Sequence, residues 1–148
     1  QNDILLLLGD GEEFSALKER FEKKSNIIMT GSVNNVNEYL QASDVYIASS
    51  KSEGLPNGVL EAMAVGLPVI LSDIEQHKEI YDADTQIGSL YKIGDKNDCI
   101  DKILEMDSQK CVACGSAAYA CAHDKFSAER MSREYQQEYL SVFNSKMN

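Results

Sequence analysis

Ser52-Glu53-Gly54-Leu55-Pro56-Asn57-Gly58-Val59-Leu60-Glu61-Ala62-Met63-Ala64-Val65-Gly66-Leu67-Pro68-Val69-Ile70 is the stretch on which the fold turns. An apolar strand (Asp44 to Ala48) enters it through a polar loop, Ser49 to Asn57. A helix is predicted over Gly58 to Val65, stopped by Gly66 as its cap with Pro68 just beyond. Val69-Ile70-Leu71 then reads as the next strand. Gly54 and Gly58 let a ligand come close to the backbone, and the unpaired amides near Asn57, Gly58 and Val59 form an anion site. The helix dipole adds about 0.3–1 kcal/mol for a surface charge, and phosphate is the natural guest. Glu53 precedes that site, and Glu61 lies one turn along from Asn57, so both can face one cleft. A carboxylate only accepts hydrogen bonds, so hydroxyl donors are expected on either side of the phosphate. A ligand ordered sugar, diphosphate, ribose has that pattern.

Working outward, strand and helix alternate. Asp3 to Leu8 is an apolar run that suits a strand buried on both faces, broken by Gly9-Asp10-Gly11. Glu12 to Lys24 carries Phe14, Leu17 and Phe21 at helical spacing. Asn26 to Thr30 is a second strand ending at Gly31, and Val36 to Ala42 a short helix with Val36, Tyr39 and Leu40 inward. After Leu71 come a helical turn or two over Gln76 to Tyr81 and a weak strand over Gly88 to Lys92. Asp95 to Met106, Ser108 to Ala122 and Ser127 to Ser145 are predicted helices. The alternation implies an α/β fold, a parallel sheet covered by helices on both faces. Ligands bind such sheets outside the carboxyl ends of the strands, which singles out the loops after Leu8, Thr30, Ala48 and Leu71.

The 148 residues suit one domain without internal repeats, and 43% apolar and 26% charged residues are globular values. A net charge of −10 argues against nucleic acid or an anionic membrane as partner. The longest apolar run, Ile4 to Leu8, falls far short of the roughly 18 residues a membrane span needs. No signal peptide opens the chain, which begins on Gln1 and runs straight into a strand, as the middle of a longer protein would. Cys99, Cys111, Cys114 and Cys121 are too few and too clustered for a disulfide framework, so reduced thiols and a cytoplasmic setting are expected.

The quoted stretch resembles the donor-binding motif of the retaining GT-B glycosyltransferases of family 4, the glycosyl transferases group 1 type. Its mark is two glutamates with seven residues between them, then an Ala-Met-Ala-like segment, Gly-x-Pro and an apolar strand; Glu53, Glu61 and Gly66-Leu67-Pro68-Val69-Ile70 reproduce it. Leu8-Gly9-Asp10-Gly11-Glu12, Gly31, Ala42-Ser43-Asp44-Val45, Ser72-Asp73-Ile74 and Gln76-His77-Lys78-Glu79 extend the match from Ile4 to about Glu79.

The resemblance implies a Rossmann-like three-layer parallel sheet, the C-terminal half of a GT-B fold with extra C-terminal helices. Residues 1–148 would form a single nucleotide-sugar-binding domain, with the N-terminal acceptor domain and the first strand absent. Glu61 matches the glutamate on the ribose hydroxyls, and Glu53 the catalytically important one at the donor sugar. The backbone from Gly54 and Leu55 through Asn57, Gly58 and Val59 matches the diphosphate cradle, although Pro56 cannot donate. Gly31 and Val33 match the segment against the base, while Gly9 and Gly11 line the cleft or merely turn the chain. The implied reaction is sugar transfer with retention and without an essential metal or other cofactor, in polysaccharide or glycoconjugate synthesis. UDP is the family's commonest donor nucleotide. The family's Arg and Lys near the first strand are absent; Lys51 and Lys78 are nearby cations. Weak nucleotide binding and no transfer by this chain alone are therefore expected, with the full-length enzyme cytoplasmic or at the inner face of the membrane.

The remaining candidates carry weaker signals. His77, expected in the loop after the fourth strand, is either a ligand contact or surface decoration. Cys111, Cys114, Cys121 and His123 admit a zinc reading, but the alanines around them mark a packed helix in which cysteine is a small apolar residue. Asp82-x-Asp84 resembles a metal motif of another glycosyltransferase fold, in the wrong topological place. Met131, Tyr135, Tyr139, Leu140 and Phe143 make the last helix amphipathic; it packs on its own domain or leaves an apolar stripe open to weak self-association. The alternatives are a sugar-nucleotide 2-epimerase-like domain and a non-catalytic α/β nucleotide-binding or receiver-like module. A receiver's strand-end aspartate is replaced here by Ala48-Ser49-Ser50.

Overall fold

The computed structural model describes residues 3–145. Strand and helix alternate as the apolar pattern requires: β1 (Leu5–Leu8), α1 (Phe14–Phe21), β2 (Ile27–Gly31), α2 (Val36–Gln41), β3 (Tyr46–Ala48), α3 (Asn57–Ala64), β4 (Val69–Ser72), α4 (Glu75–Ala83) and β5 (Gly88–Tyr91). Three helices follow: α5 (Lys96–Leu104), α6 (Ser108–Lys125) and α7 (Ala128–Ser145). Every strand pairing is parallel, so the α/β class holds, but the strands form two sheets, β1-β2 and β3-β4-β5. The chain divides into two compact units, Gln1–Tyr39 and Leu40–Asn148.

In the first unit, Leu5, Leu6 and Leu7 lie opposite Ile27, Ile28 and Met29, and the register then slips so that Leu8 meets Gly31. Gly9 bridges to Gly31, its amide donating to the Gly31 carbonyl at 2.8 Å. The expectation that β1 is buried on both faces fails here: Leu5 and Leu8 are exposed and Leu6 and Leu7 only half-buried. One partner strand, the eight residues of α1 and the first turn of α2 are too little chain to cover both faces. Val36, expected inward, is likewise exposed, whereas Leu40 is buried.

In the second unit β4 is the central strand, and Val69, Ile70, Leu71 and Ser72 are all 0% exposed. Its neighbours satisfy its backbone on both edges: Tyr46, Ile47 and Ala48 oppose Val69, Ile70 and Leu71, and Gly88 through Tyr91 oppose Val69 through Ser72. Val59 and Met63 of α3, Ile80 of α4 and Ala118, Cys121 and Ala122 of α6 close over it. Cys114 and Cys121 are thus buried free thiols within α6, and burial pushes the Cys121 thiol up. The helix starts are capped by side chains in α5, where Asp95 accepts from the Asn97 and Asp98 amides, and in α6, where Asp107 accepts from Lys110.

α7 differs from the others. No described residue of it is buried, and Met131, Tyr135, Tyr139, Leu140 and Phe143 are exposed. It is held by an internal pair, Arg130 Nε to Glu134 Oε1 at 2.6 Å. Among the described residues no helix is long and apolar enough to cross a membrane.

α3 ends where the sequence places its stop. Gly66 takes φ +85°, its amide donates to Met63 O at 2.9 Å, and Leu67 donates to Ala62 O at 3.0 Å. Leu67 then packs against Ala62 and Leu40, which completes a Schellman cap. α6 passes so close to this turn that a Cβ on Gly115 would run into the Gly66 carbonyl. Gly66→Ala should therefore cost about 1–2 kcal/mol for its left-handed backbone, and Gly115→Ala more, because backbone must shift. Urea midpoints check both; an unchanged midpoint in either variant contradicts this packing.

Candidate functional site

The carboxyl ends of β3, β4 and β5 are tied together by side chains that reach neighbouring backbone. Tyr91 on β5 donates its hydroxyl to the Ala48 carbonyl at 3.3 Å, and Ser72 on β4 donates to the Ser50 carbonyl at 2.7 Å. The loop leaving β3 is thereby pinned on both sides of Ser49. Within it, the Ser50 hydroxyl donates to Glu53 Oε1 at 2.5 Å. Glu53 is half-buried rather than a freely solvated loop acid.

α3 starts on Pro56, which is buried and supplies no side-chain cap. Its carbonyl accepts from Val59 at 3.0 Å and Leu60 at 3.2 Å, while the Asn57 amide turns back to Leu55 O at 2.8 Å. The amides of Gly54, Leu55 and Gly58 donate to no acceptor among the described residues. Of the cradle expected from Gly54 to Val59, these three remain available to a ligand. Gly54 and Leu55 are exposed, with open space around the Gly54 Cα. Glu61 is exposed on the next turn. Free amides at a helix start, with a carboxylate before and another after, can take an anion flanked by hydroxyls.

The residue that sequence reasoning missed is Tyr46. A Cβ on Gly58 would lie 2.5 Å from its hydroxyl, so any larger residue there displaces the phenol at the end of the Tyr46 side chain. Burial, then the Glu53 and Glu61 carboxylates, push the Tyr46 phenol above its ordinary value. Both glutamates therefore act on one group, which is the structural sign that they converge. Strand periodicity puts Tyr46 and Ala48 on one face, but only the fold shows that this face meets the start of α3.

Cations are scarce here. Lys78 pairs with Asp73 at 3.8 Å, and Lys51 forms no ion pair among the described residues. The Asp73 carboxyl is held below its usual range, first by the Ile93 amide at 2.8 Å and then by Lys78 and Lys92. His77, expected at the ligand edge after β4, lies in the helical turn predicted over Gln76 to Tyr81, the start of α4, and is completely buried. Its Nδ1 lies 3.0 Å from both the hydroxyl and the carbonyl of Ser72. Asp84 caps the turn after α4, accepting from the Gln86 amide at 2.9 Å. In the first unit, the Gly9–Gly31 bridge brings together the two loop ends singled out by the sequence, Gly11 accepts from Phe14 at 2.9 Å, and Val33 is half-buried.

Two outcomes follow for Tyr46. A tyrosinate absorbance titration, differenced against Tyr46→Phe, should place this phenol above the usual value of about 10, and Glu53→Gln with Glu61→Gln should bring it down. Gly58→Ala should cost about 1–3 kcal/mol by overpacking, with Tyr46→Phe restoring part of the loss. A titration indifferent to both glutamates would remove the convergence.

Residues 1–108 match the glycosyl transferases group 1 family. An Escherichia coli UDP-Gal:alpha-D-GlcNAc-diphosphoundecaprenol alpha-1,3-galactosyltransferase is 30% identical over 126 residues, covering 74% of this chain and 31% of that protein. The chain thus spans about a third of the length of this curated relative. Among solved structures, a mutant of S. aureus TarM in complex with UDP superposes with a TM-score of 0.82 at 22% identity, covering 90% of this chain and 28% of that one. Anabaena HepE with UDP and glucose gives 0.76 at 21% identity, covering 93% and 40%. At such identities these two likenesses establish a shared fold. The paired glutamates around α3 lie within the matched residues, and the chain belongs to the glycosyl transferases group 1 family.

Proposed function

We propose that this chain is the donor-binding part of a retaining, metal-independent glycosyltransferase that uses a nucleotide-diphosphate sugar, with UDP as the nucleotide. The observation that carries it is the start of α3, where the free amides of Gly54, Leu55 and Gly58 lie between the carboxylates of Glu53 and Glu61. Glu61 takes the ribose hydroxyls, the amides take the diphosphate, and Glu53 takes a sugar hydroxyl beside the reacting carbon. As the glycosidic bond to phosphate breaks, charge grows on the leaving diphosphate, and fixed amides at a helix start stabilise it without reorganising. The UDP-galactose donor in the name of the E. coli relative, and UDP in the TarM and HepE crystals, support the choice of nucleotide.

Calorimetry with UDP, UDP-glucose, UDP-galactose, UDP-N-acetylglucosamine, GDP-mannose and ADP-glucose tests the reading. Glu61→Ala should weaken UDP and every UDP-sugar by about tenfold or more, the worth of a hydrogen bond to a charged group. Glu53→Gln should weaken only the sugar-bearing ligands. Equal affinity in Glu61→Ala removes the ribose assignment, and turnover by the 148-residue chain alone contradicts its reading as a donor part.

A further inference from the structure

We propose that Ser50, Ser72 and His77 form a positioning chain that aims the Glu53 carboxylate at the donor sugar; the inference rests on the donor-binding reading above. The chain runs from α4 to the end of β4, then to the loop after β3. Each link has a definite direction. The Ser50 carbonyl can only accept, so the Ser72 hydroxyl spends its single proton there, at 2.7 Å. The contact from Ser72 Oγ to His77 Nδ1 at 3.0 Å must then be donated by the imidazole. The same Nδ1–H reaches the Ser72 carbonyl, also at 3.0 Å. His77 therefore carries its proton on Nδ1.

Nε2 agrees with this assignment. It is buried, and it is the one buried side-chain nitrogen or oxygen among the described residues with no hydrogen-bond partner. An N–H placed there would find no acceptor, so the packing holds the other tautomer. A fully buried histidine with one nitrogen engaged and the other idle is costly as mere filler, because an apolar side chain of similar size leaves nothing unpaired. Its engaged nitrogen orients Ser72, Ser72 fixes the Ser50 backbone, and Ser50 in turn holds Glu53 Oε1 at 2.5 Å. Oε2 has no partner among the described residues and is left to accept one ligand hydroxyl in one direction. His77 never touches the donor in this scheme.

The test compares affinities for UDP and for the tightest-binding of UDP-glucose, UDP-galactose and UDP-N-acetylglucosamine, read as a ratio within each variant. Ser50→Ala and His77→Leu should each cut the wild-type sugar preference about tenfold. His77→Asn, which can offer an N–H where Nδ1 stood, should recover most of it, and Ser50→Ala should add nothing in a Glu53→Gln background. Nitrogen NMR of His77 should report the proton on Nδ1. If His77→Leu does not fold, Ser50→Ala at the half-buried loop carries the test. Folded Ser50→Ala that keeps the wild-type ratio, or a proton on Nε2, overturns the positioning chain and leaves the donor reading standing. A wild-type chain that binds neither UDP nor any UDP-sugar, or binds them equally, overturns the donor reading or the role of Glu53, and the chain with it.

Discussion

The site of the second unit depends on the complete desolvation of β4 between two parallel partners. Burying Val69, Ile70 and Leu71 is favourable by about 1.5–3 kcal/mol for each side chain, but only if every backbone group on the strand is paired. β3 and β5 supply those partners. The same pairing sets what stands at the carboxyl end. The Tyr46 amide donates to the Pro68 carbonyl at 3.0 Å, which fixes the β3 register and carries the Tyr46 phenol to the start of α3. Ser72, the last residue of β4, then falls beside Ser50. A slip of one residue would turn Ser72 and Tyr46 to the opposite face and dismantle both contacts.

The charge balance explains the form of the site. The chain carries −10, two carboxylates act on one half-buried phenol, and Lys78 is already committed to Asp73. Attraction for an anionic ligand cannot come from a basic cluster in this unit. On the proposed reading it falls instead to backbone dipoles at the start of α3, which attract phosphate without attracting bulk polyanions such as nucleic acid. The carboxylates make such a site selective, since a phosphate lacking hydroxyl donors on its flanks meets only like charge.

Much of this arrangement was legible beforehand, and the reason is local. The Gly66 stop, the apolar run at Val69–Leu71 and the spacing of Glu53 and Glu61 are short-range signals, and the structure places the helix, turn and strand within a residue or two of them. The caps at Asp95 and Asp107 are equally local. Tyr46 and Ser72 were not legible as site residues, because each acts through a partner 12 and 22 positions away, respectively, the first on the following helix and the second in the loop after the neighbouring strand. The burial of His77 escaped for the same reason. A single histidine between polar neighbours reads as a ligand contact or as surface decoration, and only α4 packing over the end of β4 buries it. The β1 leucines show the opposite error, an apolar run that promises burial which its own unit cannot provide.

By itself the sequence determined the α/β alternation, the family, the glycine-stopped helix after β3 and the spacing of Glu53, ahead of α3, and Glu61, within it. Such features follow from hydrophobic period, glycine and proline placement and residue spacing, all of which operate within a few residues. Tertiary structure alone decided which amides stay free, that Gly58 yields its space to a phenol, and that Ser50, Ser72 and His77 stand in line behind Glu53. Hydrogen bonds of that kind are selected by strand register and helix packing, which bring together residues the chain keeps far apart.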